Sequence, residues 1–218
     1  MWARTSKSAV ASQIRLRERL VLGRGGPRRV RLVAGADLSY DRGSDRVFAA
    51  VVVLELPGLQ VGERGTPRGG SPFPYIPGLL SFREGPLLLR AFRKLKRSPD
   101  LVLFDGHGTA HPRRFGIACH LGVLLDLPAV GCGKSRLVGE HGEPGRAPGA
   151  WTPLRDDGER VGAVLRTRRG VKPVYVSCGH RIGLAAAIRW TLRCCKGYRL
   201  PEPTRQAHRL ANEVRKKG

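Results

Sequence analysis

The segment Leu101-Val-Leu-Phe-Asp-Gly-His-Gly108 joins a fully apolar run to a carboxylate and a glycine-rich loop. A continuous apolar run of this length is typical of a strand buried on both faces. Helical spacing predicts a helix over about 115–125, and a second apolar run predicts a strand near 128–132. Because strand, helix and strand in this order build a parallel sheet, we predict an α/β fold.

Further predicted elements lie on both sides of this unit. We predict strands over 30–40, 48–56, 161–166 and 173–177, helices over 8–22, 81–97, 184–195 and 204–216, and loops over 57–77 and 137–153. In the first helix Val10, Ile14, Arg17 and Val21 recur at helical spacing, which predicts a short amphipathic helix. Pro86 should lie in the first turn of the second helix, where proline is tolerated. Glycine and proline punctuate 57–77, so any strand there must be short.

The composition suggests a polyanionic partner. The 218 residues include 40 Lys and Arg against 17 Asp and Glu, a net charge of +23, which attracts phosphate chains. A GC-rich genome would also enrich arginine and glycine, so charge alone does not identify nucleic acid. The longest apolar run, 47–54, is far shorter than the roughly 20 residues of a membrane span. Five cysteines without a C-x-x-C pair form no disulfide framework and suggest no zinc site. We therefore expect a soluble, cytoplasmic monomer.

Three acids are placed where they can meet. Asp37 and Asp105 each end an apolar strand, and Glu84 stands at the start of the helix between them. In an open α/β sheet the carboxyl ends of adjacent strands share one edge, where ligands bind. Clusters of carboxylates suit Mg²⁺ or Mn²⁺. Either aspartate could instead begin a loop or cap a helix, and Glu84 could interact with the helix dipole.

Basic residues flank these acids. Ten residues, Asp105-Gly-His-Gly-Thr-Ala-His-Pro-Arg-Arg114, include one acid, two histidines, two arginines and two glycines, a combination that a purely structural loop rarely needs. Arg113 and Arg114 either touch phosphates or belong to the general surface charge. Lys134 follows the next predicted strand, which places its ammonium group at the same edge. A phosphate-binding loop would require glycine at position 128, which is Pro128, so we exclude an NTPase. Lys134 suits a charge partner for a phosphate or an attacking water.

Together these motifs resemble the endonuclease V family, nucleases that nick nucleic acid beside deaminated purines. The resemblance extends from about Val33 to Lys216 and implies a single-domain ribonuclease-H-like fold, a central mixed sheet flanked by helices. The most specific segments are 37–39, 74–86, 104–113, 116–120, 133–135, 177–180 and 201–208. We accordingly divide the chain into an N-terminal helix with a basic linker, 1–29, and a catalytic domain, 30–218.

The resemblance also implies roles for individual residues. Asp37 and Asp105 match the principal metal ligands, and Glu84 completes the acidic cluster directly or through water. Lys134 and His208 match the remaining catalytic positions. The implied cofactor is Mg²⁺, with Mn²⁺ as a substitute.

A lesion-binding set is implied in the same way. Tyr75 matches the wedge that enters the duplex at the lesion. The other members, in the same segment or in the loops that enclose the extruded base, are Pro74, Ile76, Pro77, Arg83, Gly108, His111 and Gly116.

The implied activity is hydrolysis of the second phosphodiester bond 3′ to deoxyinosine, which leaves 3′-hydroxyl and 5′-phosphate ends. Inosine-containing RNA is an alternative substrate, because no residue in the sequence identifies a contact to a 2′-hydroxyl. A nucleic-acid-binding protein without catalysis is a further alternative, although the three acids and both basic catalytic positions are present.

Overall fold

The computed structural model describes residues 2–23, 25–41, 44–71 and 73–217. Within these ranges the chain forms one nine-stranded sheet and five helices. The strands are β1 (Leu32–Tyr40), β2 (Arg46–Glu55), β3 (Gln60–Gly65), β4 (Arg68–Gly70), β5 (Leu101–Phe104), β6 (Ala129–Gly133), β7 (Trp151–Asp156), β8 (Glu159–Leu165) and β9 (Val174–Cys178). The helices are α1 (Ser6–Arg17), α2 (Leu80–Phe92), α3 (Ile117–Leu125), α4 (Leu184–Arg193) and α5 (Glu202–Lys217).

The sheet is mixed, with the strand order β3-β2-β1-β5-β6-β9-β8-β7 and β4 paired to β2. Strands β1, β5 and β6 are parallel, whereas β2 and β9 run antiparallel to their neighbours. This arrangement confirms the predicted α/β class and the ribonuclease-H-like fold with helices on both faces of a central mixed sheet.

Both faces of the central strands are buried, which explains their continuous apolar sequences. Along β5, Leu101 and Leu103 pack in a core that includes residues of α4 and α5, whereas Val102 and Phe104 pack in a core with α2 and α3. Each fully buried side chain of this kind contributes roughly 1.5–3 kcal/mol. The positions of the strand ends, and of any side chains on them, are thereby fixed.

The N-terminal helix is shorter than predicted, and of its regularly spaced apolar residues Val10 packs against an apolar cluster with Phe73 but Ile14 and Val21 do not pack in the core. Helix α1 ends at Arg17, and Ile14 and Val21 are 57% and 51% exposed, whereas Ala9 and Gln13 are buried. The face with Ala9 and Gln13 is buried because Gln13 forms hydrogen bonds with the carbonyls of Gly78 and Phe115, which lie far away in the chain.

Two expectations for α2 are also corrected. The helix begins at Leu80 and ends at Phe92, earlier than predicted. Glu84 therefore lies in the second turn rather than at the helix start. Pro86 lies in the helix interior, where its missing N–H removes one backbone hydrogen bond.

Two of the predicted loops contain strands. Residues 57–77 form β3 and β4 as well as a loop, because backbone pairing with β2 does not require apolar side chains. Strand β7, which begins inside the second predicted loop, pairs with β8. The remaining predicted strands and helices are confirmed to within a residue or two. None of the helices in the described residues has the length and apolarity to cross a membrane.

Gly35 allows α5 to lie directly against β1. A Cβ at this position would lie 2.0 Å from the carbonyl carbon and oxygen of Pro203 in the first turn of α5. A side chain at position 35 would therefore push α5 away from the sheet.

We expect Gly35→Ala to lower the free energy of unfolding by about 3 kcal/mol, as overpacking of a close backbone contact does. Urea denaturation measures the change. Gly142→Ala is the matched control, because a Cβ there meets nothing within 4 Å. Equal stability of the two variants would contradict the packing argument.

Candidate active site

The two aspartates predicted as metal ligands lie on adjacent parallel strands at one edge of the sheet. Asp105 directly follows β5, as predicted, but Asp37 lies inside β1, which continues to Tyr40 because it stays paired with β2, so the prediction that Asp37 ends its strand is wrong. Ala36 of β1 lies opposite Phe104 of β5, so Asp37 and Asp105 follow at equivalent positions. Glu84 reaches the same edge from α2, close enough for the charges of both aspartates to act on it. The structure thus brings the three predicted acids together.

The proximity of these carboxylates changes their ionisation. Burial, followed by the negative charge of Asp105, raises the pKa of Asp37, although a hydrogen bond with His208 opposes the change. Burial, followed by the charge of Asp37, raises the pKa of Glu84 to about 8. Glu84 also accepts a hydrogen bond from the Tyr40 hydroxyl at 3.2 Å. The buried surroundings of Asp37, Glu84 and Asp105 therefore disfavour the fully ionised form of this cluster.

The chemistry of this donor set fits a hard divalent cation. Three carboxylates from separate elements supply only oxygen ligands, which Mg²⁺ and Mn²⁺ prefer. In the part of the chain that the structure describes, no three Asp, Glu, His or Cys side chains already surround one point at ligating distance. Two of the acids are instead paired with basic side chains, since Lys134 contacts Asp105 and His208 contacts Asp37. A cation here would take over part of the charge compensation that these two side chains provide.

His208 is held in one orientation by α5. Its Nδ1 lies 2.6 Å from Asp37 Oδ2, and its Nε2 lies 3.1 Å from Asn212 Nδ2. Because an amide nitrogen only donates, Nε2 is the acceptor and Nδ1 carries the hydrogen that is donated to Asp37. Asn212 is fixed in turn by Ser39, whose hydroxyl also accepts from Arg215. Sequence reasoning missed Asn212, although its spacing of four residues from His208 on a helix is a usable signal.

Lys134 is anchored through its backbone. Its ammonium contacts Asp105, and its carbonyl accepts a hydrogen bond from Arg199. The same guanidinium donates to the carbonyls of Lys172 and Pro173, each at 2.9 Å. Burial lowers the pKa of Lys134, but the two nearby aspartates outweigh it, and the net shift is upward. Lys134 therefore stays cationic beside the acids.

The predicted wedge is the exposed end of a well-packed segment. Tyr75 is 67% exposed, and the flanking Pro74 and Pro77 are also exposed. Ile76 is partly buried against an apolar cluster with Phe73. An aromatic ring is thus presented to solvent from a fixed base.

Arg83, predicted as a lesion-binding residue, lies between the segment of Tyr75 and the acidic edge. Its guanidinium lies 4.5 Å from the centre of the Tyr40 ring and donates to the Phe73 carbonyl at 3.2 Å. Because the Tyr40 hydroxyl is hydrogen-bonded to Glu84, Arg83 connects the wedge segment, residues 73–78, to the acidic edge.

A small recess, open to solvent, lies between the wedge segment and the loop after Asp105. Its lining residues are Gln13, Gly78, Leu80, Ser81, His107, His111, Gly116, Ile117 and Leu137. Gly116 is required by close packing, since a Cβ there would lie 2.3 Å from the His107 carbonyl oxygen. Gly108 supports the wall rather than lining it, because its Cβ would lie 1.9 Å from the Cys178 carbonyl oxygen.

The two histidines of this loop differ in their hydrogen bonds. His111 Nε2–H donates to the Gly78 carbonyl at 2.9 Å, and Nδ1 accepts the Arg113 backbone N–H at 3.2 Å. Burial lowers the pKa of His111 to about 4, so the ring is neutral near pH 7. His107 Nδ1 is buried at the recess and has no hydrogen-bond partner among the described residues.

Arg113 and Arg114 are used inside the protein. Arg113 donates to the Gln13 amide oxygen at 2.6 Å and to the Gly78 carbonyl at 2.7 Å. Arg114 forms ion pairs with Asp156 at 2.6 Å and with Glu159 at 2.8 Å. Arg113 attaches the loop to α1, and Arg114 attaches it to the β7–β8 hairpin. These contacts explain both arginines without a phosphate contact.

The buried neutral His111 predicts a pH dependence of stability. The pKa of His111 in the folded protein, about 4, lies below its ordinary value of 6.5. The stability that the neutral ring contributes is therefore fully present above pH 6.5 and is lost as the pH falls through 4. Between pH 7 and pH 4 we expect the free energy of unfolding of His111→Gln to fall by about 2 kcal/mol less than that of the wild type. Urea denaturation across this range measures both slopes, and parallel slopes would contradict the assignment.

Comparison with known proteins agrees with this geometry. Residues 14–209 match the Endonuclease V family model. Endonuclease V of Gloeobacter violaceus is 53% identical over 218 residues, covering 99% of this chain and 88% of that protein. The crystal structure of endonuclease V from Streptomyces avermitilis has a TM-score of 0.94 at 44% identity, covering 99% of this chain and 95% of that one. That of Ciona intestinalis endonuclease V, in complex with a 23mer DNA containing an inosine followed by a ribo-adenosine, has a TM-score of 0.87 at 27% identity, covering 98% and 99% of the two chains.

Proposed function

The chain belongs to the endonuclease V family, and we propose that it is a Mg²⁺-dependent DNA repair endonuclease that acts on deoxyinosine. The observation that carries the proposal is the meeting of Asp37, Glu84 and Asp105 with Lys134 and His208, beside a recess and an exposed aromatic ring. The Ciona relative, bound to inosine-containing DNA, supports the same substrate class.

In this proposal Asp37, Asp105 and Glu84 hold Mg²⁺, which Mn²⁺ can replace. The bound ion supplies Lewis-acid stabilisation of the phosphate charge and an activated water. Water oxygen attacks the phosphorus of the second phosphodiester 3′ to the lesion, and the bond from phosphorus to the 3′ oxygen breaks. The 3′ oxygen leaves with the electron pair and takes up a proton, so a 3′-hydroxyl and a 5′-phosphate result.

The basic residues have distinct tasks. The Lys134 ammonium, fixed through its own backbone by Arg199, offsets negative charge that develops on the phosphate. His208 orients Asp37 through its Nδ1 hydrogen while Asn212 keeps the ring from turning.

Lesion recognition in this proposal uses the wedge and the recess. Extruding a base costs a few kcal/mol and least for a mispaired base such as hypoxanthine. Tyr75, supported by Pro74, Ile76 and Pro77, stacks in the gap that the base leaves. The base enters the recess near His111 and Gly116, whose wall depends on Gly108. The +23 charge provides affinity for undamaged duplex but does not select the lesion.

We expect Asp37→Asn and Asp105→Asn each to slow nicking of a deoxyinosine duplex in Mg²⁺ by about a hundredfold or more, because each removes one charge that holds the ion. A gel assay with labelled duplex measures the rate, and filter binding should give affinities within a few-fold of the wild type. Asp157→Asn, at an exposed acid away from the site, is the control. Nicking at the wild-type rate by either site variant would overturn the proposal.

Inosine-containing RNA is the second candidate substrate. The specific observation in its favour is the ribo-adenosine that follows the inosine in the strand bound by the Ciona protein. Matched DNA and RNA strands with one inosine, compared at equal concentrations in Mg²⁺ and in Mn²⁺, distinguish the two substrates.

The proposal includes action by a monomer in the cytoplasm. All five cysteines are free thiols in the structure, as a reducing compartment requires.

A further inference from the structure

A buried amide on the N-terminal helix connects the two segments that enclose the recess. Gln13 is 1% exposed. Its Nε2 donates to the Gly78 carbonyl at 3.0 Å and to the Phe115 carbonyl at 3.1 Å. Its Oε1 accepts from Arg113 Nε at 2.6 Å. Both amide hydrogens and the amide oxygen are therefore engaged.

These partners allow the Gln13 amide only one orientation. The Arg113 guanidinium can only donate, and the Gly78 and Phe115 carbonyls can only accept. A flipped amide would direct its oxygen at two carbonyl oxygens and its NH₂ group at a guanidinium. The side chain is thus fixed by chemistry as well as by burial.

Gly78 is the point where these contacts converge. Its carbonyl accepts hydrogen bonds from Gln13, from His111 at 2.9 Å and from Arg113 at 2.7 Å. Gly78 directly follows Pro77 of the wedge segment and has a φ of +80°, which favours glycine. The end of the wedge segment is therefore fastened to α1 and to the loop after Asp105.

We infer that Gln13 is a positioning residue for lesion recognition. Helix α1 then contributes to recognition by positioning the segments that enclose the recess. Gln13 borders the recess but keeps no amide hydrogen free for a base, so it acts by holding the wedge segment and the recess wall at a fixed separation. The inference rests on the proposed function, and it places a determinant just outside the stretch, 14–209, that matches the family model.

Leu16 offers a matched control on the same helix. It packs against the apolar cluster of Phe115, Cys119 and Val123, on the side of α1 that docks on α3. Leu16→Ala therefore weakens the docking of α1 but leaves the amide network in place. Gln13→Leu removes the amide at nearly constant volume, and Gln13→Glu keeps an acceptor for Arg113 while removing both donors.

The test compares dissociation constants for a duplex with one deoxyinosine and for the same undamaged duplex, without divalent cation so that no cleavage occurs. We expect Gln13→Leu and Gln13→Glu to weaken binding of the deoxyinosine duplex about tenfold and to leave undamaged duplex within twofold. Leu16→Ala should lower the melting temperature but keep the wild-type ratio of the two constants. An unchanged ratio in the Gln13 variants, or the same loss of ratio in Leu16→Ala, would overturn the inference.

A double-mutant cycle with Tyr75→Ala tests the route of the effect. If Gln13 acts through the wedge, Gln13→Leu should weaken deoxyinosine binding by less than twofold in the Tyr75→Ala background. A full tenfold loss in that background would contradict action through the wedge.

Hydrogen exchange separates failure of this inference from failure of the proposed function. A wild-type protein that does not prefer deoxyinosine overturns the proposed function. Even then, peptides covering 73–80 should exchange at least fivefold faster in Gln13→Leu than in Leu16→Ala if the amide fixes this segment. Equal exchange in the two variants overturns the positioning role.

Discussion

The burial of three neighbouring carboxyl groups, together with their mutual repulsion, is the constraint on which the rest of the site depends. Asp37, Glu84 and Asp105 meet at one edge of the sheet, where burial and mutual charge raise the pKa of both Asp37 and Glu84. Like charges in such a place persist only if the fold over-determines their positions and a cation compensates them. The sheet meets the first requirement, because β1 and β5 are buried on both faces and their register sets both aspartates.

The other elements serve the same edge. Gly35 lets α5 approach β1, and α5 carries His208 and Asn212 to Asp37. Arg199 fixes the backbone of Lys134, whose ammonium contacts Asp105. At the recess, α1 is joined to the wedge segment by hydrogen bonds of Gln13 and Arg113 to the Gly78 carbonyl, with no carboxylate among the partners. Charge is thus concentrated where phosphate chemistry is proposed.

The central fold and the acidic cluster could be predicted from the sequence for a physical reason. Strands buried on both faces have continuous apolar runs, and adjacent parallel strands share an edge, so the proximity of Asp37 and Asp105 could be predicted. The end of β1 could not, because its pairing with β2 carries the strand past Asp37 to Tyr40. Strands β3 and β4 were not predicted, because their backbone pairing leaves little trace in glycine-rich sequence. The burial of Gln13 on α1 could not be predicted, because its partners lie 65 and 102 residues away.

Metal-dependent stability tests the central claim most directly. The account predicts that 10 mM Mg²⁺ raises the melting temperature of the metal-free wild-type protein by several degrees, because the ion binds the folded state and relieves repulsion among the acids. Asp105→Asn should lose most of this rise, whereas the exposed-acid variant Asp157→Asn should keep all of it. A wild-type protein that Mg²⁺ does not stabilise, or an Asp105→Asn variant stabilised to the same extent, would contradict the account.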